Sequence, residues 1–504
     1  MLDDAQPVPS APPRFGSRTW LRGEPAPREF LWLGLALSLL SALPVLIATY
    51  PQMVDYPAHL ARMQIMLHRD ESPFLQEYYG FQWRWMGNLG ADILVWPLTW
   101  FVSLETAGRI MAGLIPPLTG LSLLAAEWAV RKRIGMGSLL ALAFVWSPSA
   151  LLGFLNFGLA QAAALLAFAL WVLLDDTTWG KKWRAPLFIP IGVFVWLGHV
   201  SGWGILGILV FGYEWSKDKS WRAFLAPWPL FFPALSLILN DTPGKPPSYG
   251  PLPQLYKWAI WKQAMRGTFQ WVDYGMTIAI GLLLIGSLWF KKWDAKLGWA
   301  AAMMLVSSLV LPRHIFGGDL VDARMISAGL MVGVLCLSWR APRWVLLLVP
   351  LVFLFRLGYT TIDWERDSRE TAEALTALEG LPKGAKVASY VVTERSEWGF
   401  NGKEHICGYV VTRLDGFTNC NFALPAIHMM TINGGGPFFR DPFHRLNHRE
   451  GRKIDIADYN PAKHVDYLWY VGQTRPVKIP PGFVIEQNGR TWFLARLAKP
   501  RPRS

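Results

Sequence analysis

The chain has 504 residues, of which 52% are hydrophobic, 14% aromatic and only 17% charged, with a mean hydropathy of +0.24. Soluble globular chains are about a quarter charged, so one large soluble enzyme is excluded and a membrane protein is indicated. The formal charge of +13 reads first as topological, because Lys and Arg collect in the cytoplasmic loops of membrane chains; it does not point to nucleic acid. Three Cys are too few for a disulfide scaffold or a Cys-rich metal module.

Residues 1–28 are Pro-rich, carry Arg14, Arg18, Arg22 and Arg28, and lack an apolar period, so they read as a disordered cytoplasmic tail. The run Phe30 to Thr49 follows. At about 20 residues it suits a bilayer span, and no A-x-A cleavage site follows it. Basic clusters then fall at Arg131-Lys132-Arg133, Lys181 to Arg184, Lys217 to Arg222, Lys291 to Lys296 and Arg340 to Arg343. If each marks a cytoplasmic turn, the apolar runs between them become spans near 107–130, 136–152, 156–174, 185–201, 203–215, 222–239, 274–290, 297–312, 325–339 and 343–359, about eleven in all with the first. The run Leu89 to Leu104 is short and carries Asp92 and Pro97. Counting it as a span would put the Arg131 cluster outside, so it is expected to lie along the outer interface, with Trp96 and Trp100 in the headgroup layer.

An odd span count with the N-terminus inside places residues 360–504 outside, in the periplasm of a Gram-negative cell. Here the pattern becomes soluble α/β. Asp367 and Glu370 have capping-box spacing ahead of a helix carrying Ala372, Leu375 and Leu378 and stopped by Gly380. Strands are expected at Lys386–Val392, Gly408–Thr412, Asp466–Val471, Phe483–Gln487 and Thr491–Arg496, the last two joined by the hairpin signal Asn488-Gly489. The expected fold is therefore an α-helical polytopic membrane domain over 29–359, with an outer loop at 50–106 and one interfacial helix, followed by a small α/β soluble domain at 360–504.

Three polar sets fall on the outer face. In the first, Asp55, His59 and Arg62 stand at i, i+4 and i+7 behind Pro57, which would bring a carboxylate and two potential cations to one face of a helix. The alternative is that Asp55 caps that helix while His59 and Arg62 are solvated or bind headgroups. The second set holds Arg313, His314, Asp319, Asp322 and Arg324. So many ionisable groups beside hydrocarbon must face water, one another or a ligand. Arg313, His314 and Arg324 could hold a phosphate, or Asp322 and Arg324 could pair with each other while the remaining arginines snorkel. The third, Asn240 to Tyr274, mixes Trp and Tyr with Lys245, Lys257, Lys262 and Arg266 and reads as an interfacial helix more readily than as a sugar-stacking site. His199, Ser201 and Asn156 read as helix-contact polar groups, and Gly434-Gly435-Gly436 as a loop. His444 and His448 lack the acidic base of a metalloprotease motif, so whether a divalent metal is used stays open. Cys407 and Cys420, placed outside, form a candidate disulfide, and Cys336 lies within a span.

The order of these features resembles the GT-C superfamily of membrane glycosyltransferases, which use polyprenyl-phosphate-linked sugars. Asp55 just after the first span, the outer loop to Leu104 and the outer C-terminal domain match that plan. The run Leu104-Glu105-Thr106-Ala107-Gly108-Arg109 is similar to the segment before the second true span in the aminoarabinose and protein-mannosyl branches. Where many branches carry paired acids in the first loop, this chain has Asp55-Tyr56-Pro57-Ala58-His59. The resemblance implies a multi-pass protein of the bacterial inner membrane that transfers a sugar from a polyprenyl-phosphate donor to a lipid, glycan or protein acceptor on the outer face, with membrane lipid as a further partner and no nucleic acid. No cofactor is established beyond that donor substrate, and a divalent metal stays open. The role of base or orienter falls on Asp55, and Arg313, His314 or Arg324 would meet the donor phosphate. A non-catalytic scaffold of envelope polysaccharide export remains an alternative. A transporter fits less well, since most ionisable residues sit at span ends instead of mid-membrane.

Overall fold

In the computed structural model the described residues are 21–235, 246–315, 318–393, 398–424, 427–436, 439, 446–448 (backbone only) and 453–498. The expected tail through residue 20, and Lys245, Phe316, Gly317 and His444, lie outside them. The described chain is mostly helical, with a small sheet near its C-terminal end.

Among the described residues five helices are long and apolar enough to cross a membrane: Pro27–Ile47, Leu104–Arg131, Leu155–Asp175, Gln270–Trp289 and Arg343–Leu378. Two shorter apolar helices, Met136–Leu151 and Ala295–Val310, and the helices Thr178–Gly198, Val200–Lys217 and Val321–Leu335 occupy other runs of the expected scheme. The helix Gln270–Trp289 leaves Ile278, Leu282, Ile285, Leu288 and Trp289 exposed. An apolar face of that size is stable only against lipid or protein. The segment 89–104 forms the nine-residue helix Gly90–Leu98, too short to span, with Trp96 and Trp100 exposed.

The basic clusters meet at one end of the helix bundle. Arg131 donates to Glu127 (2.7 Å), Asp294 (3.2 Å) and the carbonyl of Cys336 (2.7 Å). Lys132 pairs with Asp176, Arg184 and Lys217 share Asp175, and Arg343 pairs with Glu29 of the first helix. The acidic partners explain why so many cations can be gathered there.

Two expectations for the C-terminal region are corrected. Asp367 and Glu370 do not start a helix: one continuous 33-residue helix, Arg343–Leu375, runs from the basic end past both of them, a length of about 50 Å. Glu370 instead accepts from Lys403 (2.8 Å) and Arg490 (2.9 Å), so its charge serves long-range pairing. The helix therefore passes residue 360 without a break. Gly408–Thr412, rich in β-branched residues, is not a strand but lies in the helix Gly408–Leu414. Gly408 packs directly on the backbone of Pro57 and Ala58, where any Cβ would collide. Burial of Val410 and Val411 against the neighbouring helix outweighs their intrinsic preference for strand.

The sheet runs β3 (Phe417–Thr418), β2 (Lys386–Thr393), β6 (Tyr467–Val471), β8 (Trp492–Leu497), β7 (Phe483–Asn488), with β5 (Leu446–His448) also on β2. β2 and β6 are parallel and almost wholly buried, as their continuous apolar sequences require. β7 and β8 form the antiparallel hairpin expected at Asn488-Gly489. The segment 50–106 joins this region: β1 (Tyr79–Phe81) pairs antiparallel with β4 (Met430–Ile432), and the Tyr78 and Tyr79 hydroxyls donate to the carbonyls of Gly384 and Gly416. One hydrophobic core holds Leu37, Tyr56, Met111, Leu346 and Trp364 together with Val387, Tyr409 and Trp469. The apolar helices, the segment 50–106 and the C-terminal sheet thus bury apolar surface against one another.

Candidate functional site

At the end opposite the basic clusters, the chain leaves the first helix and turns at Asp55 into the helix Tyr56–His68. The amide N–H groups of Val54 and Asp55 donate to the carbonyls of Leu151 (3.2 Å) and Leu152 (3.0 Å). Gly153, at φ +82°, lies so close to Met53 and Asp55 that a side chain there would be strained in backbone and crowded in space. These contacts fix Asp55 beside the turn that opens the helix Leu155–Asp175. Its carboxylate makes no capping bond; Oδ1 lies 3.4 Å from Nε2 of His405, a residue of the C-terminal region.

His59 and Arg62 do share a face, and they touch: Nδ1 of His59 is 3.1 Å from Nη2 of Arg62, while Nε2 of His59 lies 3.1 Å from the carbonyl of Gly153. Arg62 is taken up by Asp92, with two bonds of 2.8 Å, and both side chains are buried. Asp92 comes from the short helix Gly90–Leu98, and the amide of Asn156 bonds Asn88 and the N–H of Ala91 to lock that helix in place. His199 accepts from the N–H of Ser201 (3.0 Å) and so caps its helix.

In the second set Asp322 does not pair with Arg324. It accepts from Lys257 (2.5 Å) and the Tyr256 hydroxyl (3.0 Å). Lys257 projects from the helix Pro253–Lys262, which leaves Leu255 and Trp258 exposed. Arg313 makes a two-pronged bond to Asp319 (2.7 and 2.9 Å), and His314 lies 3.3 Å from the same carboxylate. Arg324 differs from all of these. It is 8% exposed, its guanidinium lies 4.3 Å from the ring centre of Phe154, its Nε is buried without a hydrogen-bond partner, and no carboxylate among the described residues pairs with it. Asp55, Asp319 and Asp322 are close enough only to act on it through space.

Beside this helix lies a cavity of about 480 Å³ whose walls include Leu152, Arg313, Ser327, Gln263, Asn401 and Glu404. Its roof is the C-terminal segment 398–407, which Arg266 holds by donating to the carbonyls of Trp398 (2.7 Å) and Gly399 (3.0 Å). Buried Asp273 anchors the same segment through the indole N–H of Trp398 (2.8 Å) and pairs with Arg356 (3.1 Å). Cys407 and Cys420 are joined in a disulfide, their Cα atoms 6.1 Å apart. Among the described residues no group of three or more His, Cys, Asp or Glu is placed to hold a metal ion.

Sequence reasoning missed Asp92 and His405 as partners. Asp92 carried a signal, a carboxylate inside an apolar run, which buried pairing would explain. His405 carried none.

Two buried imidazoles near Arg62 give this end of the molecule a pH response. Burial, then the charge of Arg62, pushes His428 down to about 3. Burial, then Arg62 and His428, holds His59 well below the usual histidine range. Above the ordinary value of 6.5 folded and unfolded chains bind the same protons at these sites. Below it the unfolded chain takes up protons that the folded protein excludes, so stability falls as pH drops from about 6.5 toward 3. The melting temperature in detergent is expected to fall between about pH 7 and pH 5, and to fall less in His428→Asn. Equal slopes in variant and parent would contradict this.

No family model matches the chain, and no curated protein matches it. Among solved structures it is similar to a single-particle cryo-EM structure of arabinofuranosyltransferase AftD from Mycobacteria, at 13% sequence identity and a TM-score of 0.46. The match covers 95% of this chain and 40% of that one, so the chain spans less than half the length of the protein it resembles.

Proposed function

We propose that the chain is a membrane glycosyltransferase that moves a sugar from a polyprenyl-phosphate donor to a lipid, glycan or protein acceptor at the outer face of the inner membrane, with its N-terminus cytoplasmic and its C-terminal region periplasmic. One observation carries the reading. Arg62, Lys257 and Arg313 each have a carboxylate partner, whereas Arg324 is buried with no ion-pair partner among the described residues. A buried cation without a counter-charge is costly, and an anionic ligand would relieve that cost.

Arg324 therefore takes the donor phosphate, and Arg313 and His314, already facing Asp319, do not. In the reaction the bond between the anomeric carbon and the phosphate oxygen breaks, and a bond from that carbon to the acceptor oxygen forms. The acceptor hydroxyl gives up its proton, which Asp55 receives or orients, and the negative charge grows on the departing lipid phosphate, where a guanidinium stabilises it. The adjoining cavity, between the helix Pro253–Lys262 and the C-terminal roof, has apolar lining at Leu152, Ile260 and Ile326 and polar lining at Gln263, Asn401 and Glu404, which suits a lipid-linked sugar.

The test is transfer of radiolabelled sugar from a synthetic polyprenyl-phosphate donor by the purified full chain, in wild type and Arg324→Met. The variant is expected to raise the donor KM by about tenfold or more. Without donor it should melt no lower than wild type, because an uncompensated buried charge has been replaced by an apolar chain of similar length. Unchanged donor binding together with an earlier melt would make Arg324 a structural residue and remove the support for this reading.

A further inference from the structure

The reading of Asp55 as the acidic group of the site raises the question of what holds its carboxylate. Its backbone is fixed by the Leu151–Gly153 turn, but its side chain meets His405. That histidine is 2% exposed and packs on Phe422 at a tilt of 36°, with ring centres 4.5 Å apart. Its Nε2 lies 3.4 Å from Oδ1 of Asp55, and its Nδ1 lies 3.3 Å from the carbonyl oxygen of Cys420. The segment that carries it is tied down on both sides. The Cys407–Cys420 disulfide follows it, and Gly402 packs on the backbone of Gln52 before it.

The chemistry of the ring decides what such a placement does. A neutral imidazole has one N–H and one lone pair, whereas a carbonyl and an ionised carboxylate only accept. Both neighbours are satisfied only when the ring carries two protons, or when Asp55 itself carries one. In either arrangement the pair holds one proton more than a separate neutral histidine and carboxylate would. A lone pair aimed at a carboxylate would be repulsive in a site this dry.

We propose that His405 is a positioning residue for the transfer reaction, orienting the Asp55 carboxylate through Nε2 and sharing a proton with it, so that the C-terminal region completes the active site instead of merely covering it. This rests on the reading of Asp55 given above. Other charged groups surround the pair. Arg324 acts on Asp55 through space. Glu404 is the next residue in the chain, and Lys403 is held by Glu370. His428 stacks on the far side of Phe422 at 5.6 Å, with His59 and Arg62 beyond it. None of these lies between Nε2 and Oδ1.

The inference is tested first without turnover. In the full chain labelled with ¹⁵N-histidine and purified in lipid nanodiscs, the His405 signal is assigned by its loss in His405→Gln. A neighbouring carboxylate favours the imidazolium, so Asp55→Asn should lower the His405 titration midpoint by about one pH unit or more. A midpoint unmoved by Asp55→Asn would overturn the proposal. The second test is the pH–rate profile with the radiolabelled polyprenyl-phosphate donor used above. His405→Gln keeps a hydrogen-bond donor toward Asp55 but cannot titrate. It should lower kcat about tenfold with donor KM within about twofold, and it should move the acid limb to higher pH, since loss of a cation raises the carboxylate pKa. His405→Asn, which keeps a donor toward the Cys420 carbonyl but none toward Asp55, should be slower still. Variants that melt earlier yet keep the wild-type profile and kcat would assign His405 to folding alone. If Asp55→Asn itself remains fully active, the functional reading fails; if Asp55→Asn is inactive and the His405 variants keep the wild-type profile, only the present inference fails.

Discussion

Asp55→Asn is expected to lower turnover by about 10²-fold or more while the protein stays folded and still binds donor. The substitution is nearly isosteric. It leaves the backbone bonds to Leu151 and Leu152 untouched, and the side chain makes no capping bond whose loss would unwind the helix Tyr56–His68. What it removes is the negative charge that would accept or orient the acceptor's proton, an interaction that matters in the transition state more than in the bound complex. The effect should therefore appear in kcat and kcat/KM together, with little change in donor KM. Asp322→Asn provides the contrast. It removes the charge and the oxygen that pair with buried Lys257, while the remaining oxygen can still accept from Tyr256, so its primary effect should be an earlier melt. Full activity in Asp55→Asn alongside abolished activity in a folded Asp322→Asn would move the catalytic role to the second cluster.

The largest stability effect should come from splitting Arg62 and Asp92. Both are buried and joined by two short bonds, so removing one strands the other's charge in a dry environment. Asp92→Ala or Arg62→Ala is expected to destabilise the protein by about 3–5 kcal/mol, whereas the double replacement Arg62→Met with Asp92→Leu should lose much less. Unfolding of the purified protein in detergent measures the cycle. Additive losses in the double variant would mean that the two residues are not coupled. Because Arg62 lies two turns after Asp55 on the same helix, the single variants should also slow transfer, by loosening the element that presents Asp55.

Much of the plan was legible in residues close to one another along the chain. The apolar runs, the short length of the run containing Asp92, the cations at Arg131 and Arg343, and the Asn488-Gly489 turn are local patterns. Each reflects a local cause: bilayer thickness, charge placement beside a membrane, or the preference of Asn and Gly for tight turns. The position of Asp55 just beyond the first apolar run was visible for the same reason. Local rules failed where a distant element supplied the stronger force. Gly408–Thr412 has the composition of a strand, yet packing on the Pro57 backbone makes it part of a helix. Asp367 and Glu370 have cap spacing, yet the helix that began at Arg343 is still running when it reaches them.

The site itself divides along the same line. The sequence by itself determined which ionisable groups stand beside apolar runs, because a charge beside hydrocarbon is conspicuous wherever it occurs. Only the tertiary structure decided who pairs with whom. Arg62 joins Asp92 and not Asp55, Lys257 takes Asp322 from Arg324, Arg313 turns to Asp319, and Asp55 meets a histidine from the far end of the chain. An ion pair is chosen by distances of a few ångströms in space and by the cost of leaving a buried charge unmatched, and neither quantity is written in sequence spacing once the partners lie on different elements.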